Sequence, residues 1–444
     1  MKRALKISVL LIAFTFYLNA TAQSFVGHNL DNYSGIHGVV FNPANVVGSN
    51  FKTDINLVSF STLLGSDYVG ISLSEGLSDL EESDFDNYGE IFPKENNQFF
   101  NNLNVLGPSF MFNLSPKSSI ALTTRARFFT NLNNLNGKLF ETLIEDFDET
   151  EDFPFDVRNF SGTVHSWAEV GLTYGRILLQ SEKNLLKAGL TVRYLQGAGA
   201  IYMSAPVLSG NYDATQEILT TTGSLEYGST QGFEEDSFEF NSGNSGFGAD
   251  IGFSYEFTSA NKLEAAKRVH NNYTLKLAAS ITDIGSLSYN DVRVKSYDMD
   301  ASVDENIFRD SEDFEETLDE AYIGQESFQT LEVNLPTALH LVADYSLTRR
   351  LFISAKGTFS LVDAAEPLAN RVLNTFVLAP RMETKWFSLY SPLSFRQYDG
   401  LAWGAGLRLG PFHVGSGSVL TNLLSESSKT VDVFAGVKIP IYRK

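Results

Sequence analysis

Hydrophobic and polar residues alternate along most of this chain. In GADIGFSYEF (248–257), Ala249, Ile251, Phe253, Tyr255 and Phe257 are apolar, and Asp250, Gly252, Ser254 and Glu256 fall between them. A period of two defines an extended strand with one apolar and one polar face. The pattern returns in IALTTRARF, SWAEVGLTYG, KAGLTVRYL, LKLAASITDIG, HLVADYSL, LFISAKGTF, LAWGAGLRLG and VDVFAGVKIPI. These segments run roughly 8 to 12 residues, near the length a tilted strand needs to cross a bilayer.

Two architectures give such alternation. In a soluble sandwich the apolar faces form the core; in a membrane barrel they meet lipid and the polar faces line the lumen. The polar faces here carry isolated charges of both signs: Glu169, Arg193, Asp250, Glu256, Lys276, Asp344, Lys356, Arg408 and Lys438. The opposite faces of those strands carry none. One Arg or Lys on a lipid face near the midplane costs about 2–4 kcal/mol, so a charge-free outer face is what lipid demands. Otherwise the polar faces are dominated by Gly, Ser, Ala and Thr, which suits an enclosed lumen better than bulk water. The expected fold is all-β: a single transmembrane antiparallel β-barrel of about 14 strands, an even count placing both ends on one side. Trp167, Tyr174, Tyr255, Tyr345, Trp386, Tyr390 and Trp403 are candidates for its interfacial aromatic girdles.

The connections fall into two kinds. SLTRR (346–350), RQYDG (396–400) and Gly410-Pro411 read as tight turns, whereas 80–90, 141–157 and 310–320 read as long acidic loops. Stretches 137–147, 312–322 and 261–269 predict short helices within connections. Ahead of the strands, MKRALKISVLLIAFTFYLNATAQ has a basic start, a short apolar core and Ala20-Thr21-Ala22 at a cleavage position. It predicts a secretory signal peptide over 1–22 and export by the Sec pathway to the bacterial outer membrane. The remaining boundaries are a 23–50 N-terminal plug segment and a 51–444 barrel. Past the signal no apolar run reaches the length of a transmembrane helix.

Charge and composition exclude several functions. Asp and Glu number 53 against 33 Lys and Arg, and removing Lys2, Arg3 and Lys6 with the signal leaves 30 − 53 = −23, which argues against nucleic acid. There is no cysteine, so stability comes from something other than disulfides. The six histidines, His28, His37, His165, His270, His340 and His413, show no metal-ligand spacing, and no metal or cofactor is expected. His340 and Asp344 share a strand face but stand about 13 Å apart along it, too far to hydrogen-bond. No catalytic residues are assigned.

Asn42-Pro43-Ala44, followed by a small apolar stretch and the first long strand, resembles the start of FadL-like and PorV-like barrels. Segments 280–289, 335–347, 380–395 and 406–424 are similar to a family of Bacteroidota outer-membrane barrels of unassigned function. The resemblance implies a barrel of about 14 strands with Asn42, Pro43 and Ala44 in a plug, a style shared with barrels that accompany secretion machines. It implies no particular ligand. Two functions follow as expectations. The first is an accessory or anchoring subunit of an envelope assembly or secretion complex, docking partner proteins through acidic loops that carry Phe85, Phe147, Phe153, Phe155 and Phe314. The alternative is a FadL-like channel for small hydrophobic or amphipathic ligands. Either way the immediate partner is outer-membrane lipid.

Overall fold

The computed structural model describes residues 25–71, 89–144, 147, 151–230, 243–259, 273–310, 314–363, 366–368, 370–398, 400–425 and 427–443. Its main feature is a sheet closed on itself. The first strand, Phe51–Ser66, pairs antiparallel with the last, Thr430–Tyr442, in a register running from Phe51↔Tyr442 to Gly65↔Thr430. Its other edge pairs with Asn97–Leu106 and Ser109–Ser115, two halves of one crossing strand interrupted at Gly107-Pro108. The wall continues through Ser118–Leu135, Phe153–Gln180 and Asn184–Asp213. Ile218–Ser229 and Ser245–Phe257 share the next position, followed by Leu275–Asp298. Ile323–Asn334 and Ala338–Ser346 again share one position, and then come Leu351–Ser360 and Thr375–Glu383. Two more broken strands, Phe387–Tyr390 with Leu393–Arg396 and Gly400–Trp403 with Ala405–Leu409, lead to Phe412–Ser416 and the closing strand. With broken strands counted once, the barrel has 14 antiparallel strands.

Closure leaves the cylinder itself without a free edge, which is the condition for a β-structure to sit in hydrocarbon. The faces sort accordingly. Leu172, Leu190, Phe395, Leu401 and Phe412 point outward, each at least half exposed, while Thr173, Thr191, Asp250, Ser254 and Arg408 are buried. An apolar belt of this extent would be untenable in water and is the surface lipid requires. In the opening example, Ile251, Phe253 and Phe257 face outward and Asp250, Gly252 and Ser254 inward. This is an outer-membrane-type barrel. Phe51 and Tyr442 lie at the rim of the short turns, such as 181–183, 347–350 and 410–411. The opposite rim carries the longer connections, including helices Gly137–Ile144, Phe314–Ala321 and Val419–Leu424. The first two fall where helices are expected; 261–269 lies outside the described residues, as do the signal peptide and most of 80–90.

Two expectations fail here. Strand length is the first: Phe153–Gln180 has 28 residues, Asn184–Asp213 has 30 and Leu275–Asp298 has 24. They run past the rim and, with Ile218–Ser229, Ala301–Asp304 and Ile323–Asn334, enclose a second apolar core. Phe147, Phe155, Tyr212, Leu225, Tyr297 and Leu318 are buried in it. Alternation cannot mark where the bilayer stops, because a strand with one packed face has a period of two in lipid and in water alike. The second is the aromatic girdle. Tyr174, Tyr345, Trp386 and Trp403 are outward and exposed, but Trp167 and Tyr390 are each only 1 % exposed and point inward. Trp167 stands two residues before Glu169, hence on the same face, and its Nε1 donates to Glu169 Oε2 at 3.2 Å. Tyr390 turns in over Gly406, where an added Cβ would come within 2.1 Å of its ring.

Sidedness can be tested at Leu190, in mid-strand on the outer face. Leu190→Arg should destabilise the folded barrel by about 2–4 kcal/mol in vesicles. The equilibrium would be read from urea titrations of the heat-modifiable band. An unchanged midpoint would place Leu190 off the lipid face.

Candidate functional site

The barrel interior is built in layers. At the short-turn end lies the N-terminal segment: a 3₁₀ turn His28–Leu30, a helix Ile36–Phe41 and a second 3₁₀ turn Pro43–Val46. Ile36, Val39, Val46 and Val47 pack against Phe51, Leu106, Met111 and Ala121 of the wall. Asn42 caps the second turn by accepting from Ala44 N at 2.9 Å, and its Nδ2 reaches Phe253 O and Ala279 O at 3.2 Å each. Pro43 at the first position of that turn costs no donor. The turn touches the sheet backbone because the wall is glycine there. A Cβ on Gly189 would lie 2.3 Å from Pro43 C, and one on Gly252 would lie 2.2 Å from Asn42 Oδ1.

Polar contacts fasten the same segment around the wall. Asp31 Oδ2 accepts from Arg408 Nε at 2.9 Å, and Arg408 Nη2 also donates to Ser388 Oγ at 2.6 Å. Lys438 Nζ donates to the carbonyls of Tyr33 and Ser34 at 2.7 and 3.0 Å, while Asp54 Oδ2 accepts from Ile36 N at 3.0 Å. Asn32 N donates to Glu383 Oε2 at 3.1 Å. Glu383 is held by Arg381 Nε at 3.1 Å, and Arg381 pairs with Asp344 at 2.6 Å. These charged side chains are almost wholly buried, so each charge depends on its partner.

Above the segment lies a charged layer. Arg125 pairs with Glu169 at 2.5 Å; Arg127 and Arg193 each reach Asp283 Oδ1 at 2.7 Å; and Arg193 also pairs with Asp250. Three guanidinium groups thus face three carboxylates, a neutral set that tolerates burial. Asp283 enters through a local irregularity. It takes φ +58°, and the register with Ser245–Phe257 slips between Ala249↔Ile284 and Ile251↔Ile281. The bulge turns both Thr282 and Asp283 inward, and Asp283 N donates to Asp250 Oδ1 at 2.7 Å. Above this layer the inward faces become apolar, with Phe100, Phe129, Trp167, Leu195, Leu287 and Leu335 buried together.

The nine charges singled out in the sequence divide between these layers. Glu169, Arg193 and Asp250 belong to the charged layer. Asp344, Arg408 and Lys438 fasten the N-terminal segment or its supports. Lys276 Nζ lies 3.5 Å from Asn45 Oδ1, and Lys356 Nζ sits 4.1 Å from the Phe41 ring centre. Glu256 pairs with Lys187 at 2.5 Å. Arg125 and Arg127 are visible on the polar face of IALTTRARF, and Arg381 and Glu383 alternate inward from Thr375 onward. Asp54 alternates with its neighbours, since Asp54 and Asn56 face inward while Ile55 and Leu57 do not, whereas Asp31 carries no period that would reveal it.

Three of the histidines, which show no metal-ligand spacing along the chain, come together in space. His28, His37 and His413 converge with ring nitrogens within 4.8 Å of one another, all buried. His28 and His37 come from the N-terminal segment and His413 from the wall, so no local spacing announces the cluster. Of the others, His340 bridges Thr282 and Thr358 at 3.0 and 3.1 Å, and His165 Nδ1 meets Asn370 Nδ2 at 2.7 Å.

A closed transmembrane barrel whose lumen holds an ion-paired N-terminal segment is thus the class of protein this chain defines. Residues 43–417 match the family described as "Family of unknown function (DUF5723)", and the chain belongs to it. No curated protein matches the chain. Among solved structures it is similar to the TodX monoaromatic hydrocarbon channel deltaS2 mutant, with TM-score 0.45 and 10% identity over 92% of this chain and 95% of that one. It is also similar to a Pseudomonas aeruginosa FadL homologue, with TM-score 0.44 and 10% identity over 94% and 96%. The Pseudomonas putida toluene transporter TodX gives TM-score 0.41 and 9% identity over 94% and 96%. The fold rests on the strand pairing above, not on these likenesses.

Two substitutions test how the segment is held. A Ser34→Cys probe in this cysteine-free chain reports its release by maleimide labelling. Arg408→Ala leaves Asp31 buried without its partner and should cost about 3–5 kcal/mol, raising labelling of the probe well over tenfold; Asp31→Asn in the same chain should recover much of the loss. Gly189→Val drives a side chain into the Pro43 backbone and should expose the probe while the barrel stays heat-modifiable. Unchanged labelling in Gly189→Val would mean that the turn does not seat there.

Proposed function

We propose that the protein is a plug-gated outer-membrane channel for small hydrophobic or amphipathic molecules, exported by the Sec pathway, with residues 23–50 as the plug. The observation that carries this reading is the layering of the lumen. Buried apolar side chains face inward above the charged layer, and below it an N-terminal segment joined to the barrel only through the chain at Phe51, with no disulfide, closes the short-turn end. A second feature supports an exit through the wall. At Gly107-Pro108 the ladder is interrupted; Asn56 Nδ2 instead donates to Leu106 O and Gly107 O at 2.9 Å each, and Ser109 Oγ accepts from Thr124 N at 3.0 Å. Beside the interruption an outward groove runs between Ala126, Val170 and Tyr194, with Arg125 and Glu169 among its lining. Side-chain bonds are easier to exchange than a continuous ladder, which makes this a weak stretch of wall.

A second reading, an accessory or anchoring subunit of an envelope complex, draws support from the raised extension with its own apolar core. Reconstituted proteoliposomes separate the two. The channel reading expects uptake of a small apolar solute by the intact protein, rising in Arg408→Ala. No uptake by either variant would refute it. Recovery of a stoichiometric envelope protein in mild detergent would then favour the second reading.

A further inference from the structure

We propose that His28, His37 and His413 form a three-imidazole site for a divalent transition cation of the zinc class, and that the bound ion staples the N-terminal segment to the barrel wall. The three side chains are 0 %, 1 % and 2 % exposed. Their rings crowd one another, with centroids 4.3 Å apart for His28 and His413, 4.5 Å for His37 and His413, and 5.0 Å for His28 and His37. Neither ring nitrogen of His28 or of His413 has a hydrogen-bond partner, and one nitrogen of each ring converges with one of His37 to within 4.8 Å. Burying such atoms unmet is costly, and a shared Lewis acid would satisfy one on each ring.

The surroundings fit a cation bound by neutral imidazoles. His37 Nδ1 lies 3.3 Å from Ser34 O; donation there leaves Nε2 as the lone-pair nitrogen, the usual outer-shell arrangement for a metal-bound histidine. That Nε2 lies 3.0 Å from Ser59 Oγ, a hydroxyl placed near the fourth position. Phe25, Tyr390 and Phe434 pack around the rings and exclude water. The charges facing the cluster cancel in pairs, Lys438 with Asp54 and Arg408 with Asp31. Gly436 keeps the wall open beside it, since an added Cβ would lie 2.5 Å from His413 Cε1 and 2.0 Å from Ser59 Oγ. Tetrahedral coordination with Zn–N bonds of about 2.0–2.1 Å brings ligand nitrogens to roughly 3.3 Å, a short closure reached by fanning the stacked His28 and His413 rings apart. Three imidazoles with one further position suit zinc and its neighbours rather than calcium or magnesium, which prefer oxygen.

The proposal does not depend on the transport reading, because metal binding is read directly. The full chain, without a histidine tag, would be stripped with chelator in detergent and titrated with Co²⁺. The expected result is one equivalent bound, with the visible absorption of low-coordinate, nitrogen-ligated cobalt, and displacement by Zn²⁺. His28→Gln and His413→Gln should each weaken binding beyond the 10–100-fold that outer-shell changes cost, while His340→Gln leaves it intact. Chelation should raise labelling of the Ser34→Cys probe in the otherwise unchanged chain but not in combination with His413→Gln. X-ray absorption on the wild type covers the case in which a variant fails to fold, with about three imidazole nitrogens expected around the ion. Absence of stoichiometric binding to the heat-modifiable barrel, binding insensitive to both substitutions, or an all-oxygen shell would each overturn the site.

Discussion

Hydrocarbon offers no hydrogen bonds, so every backbone N–H and C=O of a membrane-spanning sheet must be met within the protein. The pairing of Phe51–Ser66 with Thr430–Tyr442 meets that demand by removing both edges. Even where the ladder lapses at Gly107-Pro108, the side chains of Asn56, Ser109 and Thr124 occupy the stranded backbone groups. Once the outer face is given to lipid, the polar half of each strand has nowhere to go but the lumen. Enclosure then forces it to pair, and the charges come in balanced sets, Arg125, Arg127 and Arg193 against Glu169, Asp250 and Asp283.

Much of this is legible in the sequence. Alternation marks the strands and their two faces, and the scarcity of charge on one face identifies the lipid side. What it does not carry are features that break the period or join distant segments. Asp283 is inward because a bulge slips the phase, and a strict period of two places either it or Thr282 outside. Trp167 is legible in principle: its parity with Glu169 outweighs the preference of tryptophan for the interface. The extension beyond the rim is hidden because a packed face and a lipid face impose the same rhythm. His28 and His413 meet only after the sheet closes, a relation that no one-dimensional pattern carries.

The N-terminal segment shows how a short polypeptide can be seated in a lumen by two kinds of contact. Its apolar side chains give it a place, but the orienting contacts are hydrogen bonds and ion pairs such as Asp31 with Arg408. Bonds of that kind can be exchanged one at a time against neighbouring partners, and the lumen wall offers many. Glycine at 189 and 252 lets the Asn42-Pro43 turn lie on bare backbone, giving a close fit that needs no interlocking side chains.

Lys438 has a consequence for biogenesis. It stands on the strand that completes the cylinder, and its ammonium holds the carbonyls of Tyr33 and Ser34 at the other end of the polypeptide. The seam and one hold on the leading segment therefore share the same late-synthesised strand. A chain still lacking this strand has neither the seam nor the two bonds from Lys438 to the leading segment.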